Sequence, residues 1–142
     1  ILWHTVATVP ELLTAPPEFM LAVSYNPGYQ SVLKDLKAST RQRFIALSFD
    51  YPEPELEVEI VCREGQLDRE TARLLVKLAG MTRTLKDSGL AEGASTRLLI
   101  QTGKLIGRGI PVRTACRAAI SEALTDDTEL LAALDEMVTS LF

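Results

Sequence analysis

Asn26 stands where an apolar run, Phe19-Met20-Leu21-Ala22-Val23-Ser24-Tyr25, breaks into the polar turn Asn26-Pro27-Gly28. A short amide at the carboxyl end of a buried strand can orient a water molecule or a phosphate oxygen. The same side chain can close an Asx turn on its own backbone, and on turn chemistry alone that reading is the stronger. Arg41 and Arg43 follow in Ser39-Thr40-Arg41-Gln42-Arg43-Phe44. A guanidinium here can donate a planar fork to phosphate, or reach into a neighbouring subunit's site in an oligomer. The competing reading is a solvated basic surface whose arginine stems cover apolar neighbours. Arg97 lies in Gly93-Ala94-Ser95-Thr96-Arg97, at the expected start of a helix. Outward-pointing amides and a guanidinium together make an anion site there. Against this stands a helix merely capped by Ser95 with Arg97 on its exposed face, and Ser95 is expected to cap in either case.

Other chemistries lack their residues. No Gly-x-x-x-x-Gly-Lys-Ser/Thr loop occurs, and no apolar run ends in paired acids suited to magnesium. Gly103-Lys104 falls in the middle of a helical pattern, and Thr125-Asp126-Asp127 reads as a helix cap rather than a metal site. His4 is the only histidine, which leaves Ser-His-Asp, Cys-His and His-Cys zinc arrangements dependent on one residue near the start of the sequence. Cys62 and Cys116 lie far apart in helical patterns and read as reduced, partly buried thiols. No metal ligands are assigned.

The elements that must position these groups change character along the chain. Residues 1–14 mix β-branched and apolar residues without a clean period and suggest at most a strand or hairpin arm. Ala15-Pro16-Pro17-Glu18 is a connector, because paired prolines remove backbone donors and favour extended neighbours. Phe19 to Tyr25 reads as a central strand, continuously apolar as if covered on both faces. Ser31 to Lys37 is expected to form one or two helical turns, and Ser39 to cap another through Arg43. Phe44 to Asp50 alternates as a second strand. After Tyr51-Pro52-Glu53-Pro54 the pattern becomes helical, the first helix placing Leu56, Ile60 and Val61 inward.

Asp68 can cap a second helix with Ala72, Leu75, Val76, Ala79 and Thr82 on its apolar face, ending at Ser88-Gly89. Ser95 opens a third, with Leu98, Leu99, Thr102, Leu105 and Ile106 inward, and Pro111 starts a fourth with Ala115, Cys116, Ala119 and Ile120. Asp126 or Asp127 caps a fifth carrying Leu130, Leu131, Leu134, Met137, Val138 and Leu141. The expected architecture is an α/β remnant over residues 1–52 followed by an all-α bundle over residues 53–142.

The balance of residues narrows the partners. With 142 residues, 46% hydrophobic and 24% charged, the chain suits one compact domain, or a domain remnant with an appendage. A net charge of −4 argues against a dedicated nucleic-acid binder, which needs a positive face to displace counterions. The apolar runs fall short of a membrane span and no basic-then-apolar leader opens the sequence, so a cytoplasmic protein is expected. A first residue of isoleucine rather than methionine leads us to expect a fragment or processed product.

Taken in order, Tyr25-Asn26-Pro27-Gly28-Tyr29-Gln30-Ser31, Ser39-Thr40-Arg41-Gln42-Arg43-Phe44 and Gly93-Ala94-Ser95-Thr96-Arg97 resemble the C-terminal half of the CbbQ/NirQ/NorQ family of MoxR-type AAA+ ATPases. Leu124-Thr125-Asp126-Asp127 is similar to that family's tail, and the resemblance runs from about Pro16 to the end. It implies that residues 1–52 end an ATPase core and that residues 53–142 form the helical lid. Asn26 would then be sensor 1, which polarises the attacking water, Arg43 the arginine finger given across a subunit boundary, and Arg97 the sensor 2 arginine of the lid. Arg41 is not the residue chosen as the finger.

The resemblance further implies ATP and Mg2+ as cofactors of the complete protein and a homo-oligomeric ring. The implied partners are a von Willebrand A-type protein and a client enzyme of the Rubisco or nitric oxide reductase class. The family's phosphate loop and acidic magnesium site lie upstream of the matched part, so this chain alone is expected to bind nucleotide poorly and not to hydrolyse ATP. The alternative is a nucleotide-independent helical interaction module, with a pseudo-ATPase subunit between the two.

Overall fold

A computed structural model describes residues 14–24, 39, 42–85 and 89–142. The chain divides into two compact units, Ile1–Leu47 and Ser48–Phe142.

In the first unit, the described residues make a turn in which the Phe19 amide donates to the Pro16 carbonyl at 3.0 Å. Neither expected strand is present among the described residues. Phe19 to Ser24 and Ile45 to Asp50 carry no regular structure and are exposed, with Met20 84% and Ile45 93% accessible. The α/β part of the expected architecture is therefore overturned among the described residues. A β-strand satisfies its backbone only through a neighbouring strand, and no described segment offers these runs a ladder. Of the suggested arm over residues 1–14 only Thr14 is described, without regular structure, and the Asn26-Pro27-Gly28 turn, the helical turns of Ser31 to Lys37, and Arg41 all lie outside the described residues.

The second unit is helical: α1 (Pro54–Gly65), α2 (Arg69–Thr84), α3 (Thr96–Gly107), α4 (Val112–Cys116), a π-helical turn (Arg117–Ser121), α5 (Glu122–Leu124) and α6 (Thr128–Leu141). Pro54 opens α1, where a missing amide proton costs nothing and the fixed φ suits a first turn. Gln66 takes a left-handed conformation at its end. The Asp68 carboxylate caps α2 by accepting from the Thr71 amide at 2.9 Å and from the Thr71 hydroxyl at 2.7 Å. These bonds hold the Asp68 carboxyl below its ordinary pKa. Asp127 caps α6 by accepting from the amides of Glu129 and Leu130.

The core is built from Val58 and Val61 of α1, Ala72, Leu75, Val76, Leu78 and Ala79 of α2, Leu99 of α3, and Cys116, Ile120 and Val138 from the later helices. Each of these side chains removes apolar surface from water, the main favourable term in folding. Two glycines let α1 and α3 approach closely: a Cβ on Gly103 would lie 3.0 Å from the Gly65 Cα. Cys62 and Cys116 are both free thiols, and burial pushes Cys116 up to about 12.

Two details of α1 and α2 depart from the periodic pattern. Leu56, expected inward, is 53% exposed, and Glu57 takes a fully buried place instead. Helix α2 stops at Thr84, short of the Ser88-Gly89 expected to end it. No helix among the described residues is long and apolar enough to cross a membrane.

Candidate functional site

The segment Gly93 to Arg97 connects α2 to α3, and the structure fixes it from behind. Gly93 runs against α2 so closely that an added Cβ would sit 2.6 Å from the Arg83 Cα, which explains why no larger residue occupies it. The Ala94 amide donates to the Thr82 hydroxyl oxygen at 2.9 Å, and that hydroxyl donates to the Ala79 carbonyl at 2.8 Å. On its other side Ala94 accepts at its carbonyl from the Arg83 Nε at 3.0 Å. Both polar groups of this buried peptide are thus paired, as the interior requires.

Glu57 is the hub. Its Oε1 accepts from Arg83 at 2.7 Å and from the Thr96 hydroxyl at 2.6 Å, while its Oε2 accepts from the other Arg83 terminal nitrogen at 2.8 Å. This is a two-pronged guanidinium–carboxylate pair of the kind that fixes geometry as well as charge. Glu57 has 1% of its side chain accessible and Arg83 17%. Burial, the largest single influence on Glu57, works to raise its pKa; the hydrogen bonds from Arg83 and Thr96 and the charge of Arg83 together outweigh it and hold the carboxyl below its ordinary value. The Tyr51 ring lies over the Arg83 guanidinium at 3.7 Å, a cation–π contact that brings the segment entering α1 into the same cluster.

Against this fixed backing, Ser95 and Thr96 are half-buried and Arg97 is exposed. Ser95 occupies the N-cap position of α3 with extended backbone but makes no side-chain cap bond, contrary to the expectation that it would. Its carbonyl accepts from the amides of Leu98 and Leu99, so the helix begins in register without the hydroxyl's help. Arg97 is exposed in the first turn and takes part in no ion pair among the described residues. A helix start carrying the positive end of its dipole beside an exposed guanidinium attracts an anion, a phosphate oxygen above all.

Arg43 is exposed on a turn within the first unit, and Asn26 lies outside the described residues. Among the described residues no three of His, Cys, Asp and Glu come together as a metal group. Sequence reasoning found Arg97 but missed Glu57, Arg83 and Thr96. One signal was available: Glu57 lies four residues before Val61, which puts a charge on a helix face otherwise apolar.

Comparison with known proteins gives the site a context. Residues 57–141 match the family described as CbbQ/NirQ/NorQ C-terminal. The chain is 52% identical over 132 residues to the Protein NorQ of Paracoccus denitrificans (strain Pd 1222), a match spanning 93% of this chain and 49% of that one. It is 51% identical over 132 residues to the Protein CbbQ of Hydrogenophilus thermoluteolus, again covering 93% and 49% of the two chains. With the Denitrification regulatory protein NirQ of Stutzerimonas stutzeri the identity is 52% over 128 residues, covering 90% of this chain and 46% of the relative. The chain spans about half the length of the curated relatives it matches.

Proposed function

This chain belongs to the CbbQ/NirQ/NorQ family, and from that premise we propose that it is the C-terminal part of a MoxR-type AAA+ ATPase, which couples ATP hydrolysis to activation or remodelling of a partner enzyme. The observation that carries this reading is the start of α3, where Arg97 is exposed beside a helix end that Ser95 leaves uncapped. That donor set fits a phosphate: a guanidinium fork and backbone N–H groups are complementary to phosphate oxygens, and no described carboxylate pairs with Arg97. ATP, when bound, supplies the phosphoryl group and the negative charge. The part of this chain at Arg97 is to hold a phosphate oxygen, in the role of sensor 2.

Asn26 as sensor 1 and Arg43 as the arginine finger complete the proposed set, Arg43 acting on the nucleotide of a neighbouring subunit in a homo-oligomeric ring. For Mg2+ the described residues offer no ligand cluster, so no role is assigned to them in holding it. The same reading proposes for the complete protein a cytoplasmic location, a von Willebrand A-type partner and a client enzyme of the Rubisco or nitric oxide reductase class.

The test is made on the complete protein. Arg43→Ala is expected to lower ATP turnover by about a thousandfold, as loss of an arginine finger does, while ATP binding stays close to that of the parent. Unchanged turnover in this variant would remove Arg43 from the catalytic set. A complete protein that neither binds nor hydrolyses ATP would replace the whole reading with a nucleotide-independent interaction module.

A further inference from the structure

We propose that Glu57, Arg83 and Thr96 are positioning residues for Arg97, setting the first turn of α3 so that its amides and the Arg97 guanidinium converge on one phosphate. The proposal rests on the reading of Arg97 as a phosphate ligand and names what holds that ligand in place.

The first turn of α3 is not held in the way the starts of α2 and α6 are held. Asp68 and Asp127 bond the amides of their own helices, whereas Ser95 bonds none through its side chain. The anchor comes from behind instead. On one side of Ser95, the Ala94 peptide is bonded at both its amide and its carbonyl; on the other, the Thr96 hydroxyl donates to Glu57 at 2.6 Å. The N-cap position is therefore fixed at both flanks, and among the described residues no carboxylate accepts from the first amides of the helix. A capping Asp at residue 95 would stabilise the helix but would also occupy the amides and repel an anion.

Charge is arranged to the same end. Among the described residues the only carboxylate bonded to this turn is Glu57, and its oxygens are engaged by Arg83 and Thr96 on the buried side. Its negative charge is neutralised by Arg83, leaving the positive charge of Arg97 free to face outward. Stability alone does not call for this design, because well-packed apolar residues often serve as well as a buried ion pair. A two-pronged pair with a third hydrogen bond does supply a defined orientation, and an anion site formed by a short turn is sensitive to orientation at the level of about one ångström.

A binding cycle on the complete protein tests this, with ATP affinity measured by titration calorimetry. Arg97→Ala is expected to weaken ATP binding. Thr96→Val, which keeps the side-chain shape and removes the bond to Glu57, is expected to weaken it about tenfold, the scale of one charge-assisted hydrogen bond. Thr96→Ser, which restores the hydroxyl, is expected to return affinity to that of the parent. In the Arg97→Ala background, Thr96→Val should cause no further loss, because Thr96 acts only through Arg97.

A merely structural threonine would instead show equal losses in both backgrounds, and that additivity would overturn the proposal, as would parental affinity in Thr96→Val. Unchanged affinity in Arg97→Ala would overturn the phosphate reading itself. Failure of Thr96→Val alone, with Arg97→Ala weakened, would leave that reading standing and remove only the positioning role. Should Thr96→Val not be recovered folded, Thr96→Ala runs the same cycle.

Discussion

At the start of α2 the Asp68 carboxylate bonds the Thr71 amide and hydroxyl, whereas at the start of α3 the Ser95 hydroxyl bonds no helix amide and the turn is held by Glu57 from the buried side. Both ends face the same deficit, since the first amides of any helix lack intrahelical acceptors. In α2 the chain meets it with its own negative charge, which stabilises the helix and shields the positive end of the dipole. In α3 the negative charge is withdrawn into the core and paired there, and the helix end is left available. A rigid turn and an exposed positive end are competing demands, and the buried Glu57–Arg83 pair meets both at once.

The largest expected effect comes from breaking the withdrawn charge. Glu57→Ala leaves the Arg83 guanidinium, 17% accessible, without its carboxylate, and removal of one partner from a buried pair costs about 3 kcal/mol or more. Denaturant titration should show this loss, while Glu57→Leu combined with Arg83→Met should recover much of it, because both buried charges are then gone. If the double replacement remains as unstable as the single, packing rather than charge accounts for the effect.

The same pair gives stability a pH signature. Glu57 has a folded pKa below its unfolded one, so the unfolded state takes up a proton first as the solution is acidified. Its contribution is complete above the ordinary glutamate range, near pH 4.3, and is lost as pH falls through the lowered folded value. Asp68 is shifted in the same direction by its bonds to Thr71, so Glu57→Gln should flatten the acid limb without abolishing it. An unchanged acid limb in Glu57→Gln would mean that the carboxyl titrates alike in the folded and unfolded chain.

Gly93→Ala is expected to come next. Its Cβ would meet the Arg83 Cα at 2.6 Å and the Arg83 amide nitrogen at 2.9 Å, backbone atoms that cannot swing aside as a side chain can. Overpacking of this kind costs about 1–3 kcal/mol and should move Ala94 away from Thr82 and Arg83. The check is an unfolding midpoint together with amide exchange at Ala94, whose donor bond to Thr82 should open more often. Normal stability with unaltered exchange would show that the 93–97 connection can shift without cost.

How much of this was legible in the sequence depended on whether the signal was local. The face of α2 was readable, because Ala72, Leu75, Val76, Ala79 and Thr82 recur at helical spacing and all are buried. A cap at Asp126 or Asp127 was readable too, and it is Asp127 that makes it, its acceptor two and three residues from the amides it serves. The strand readings of Phe19 to Tyr25 and Phe44 to Asp50 failed because an apolar run specifies a need for burial, whereas a strand needs a partner that its own sequence does not name. Glu57 and Arg83 are 26 positions apart, and Glu57 and Thr96 are 39 apart, so no local pattern joins them. In α1 the periodic pattern favoured Leu56 for the core, and the partners waiting for Glu57 decided otherwise. Arg97 was readable as a candidate because helix-start chemistry is local; what holds it was not.

The smallest expected effect is the most direct contrast between the two helix starts. Removing a working cap, as in Asp127→Ala, leaves two α6 amides without their acceptor and should cost about 1 kcal/mol. Asp68→Ala should destabilise α2 for the same reason, through the bonds to Thr71. Ser95→Ala removes a hydroxyl that bonds no amide of α3, and should change stability by less than about 0.5 kcal/mol. Ser95→Asp goes further, because a carboxylate at the N-cap can reach the amides that Ser95 leaves open, and should raise the unfolding midpoint. It should at the same time weaken ATP binding by the complete protein, through competition for the amides and repulsion of the phosphate. A gain in stability accompanied by unchanged ATP affinity would separate the helix end from the anion and leave the two starts different in geometry alone.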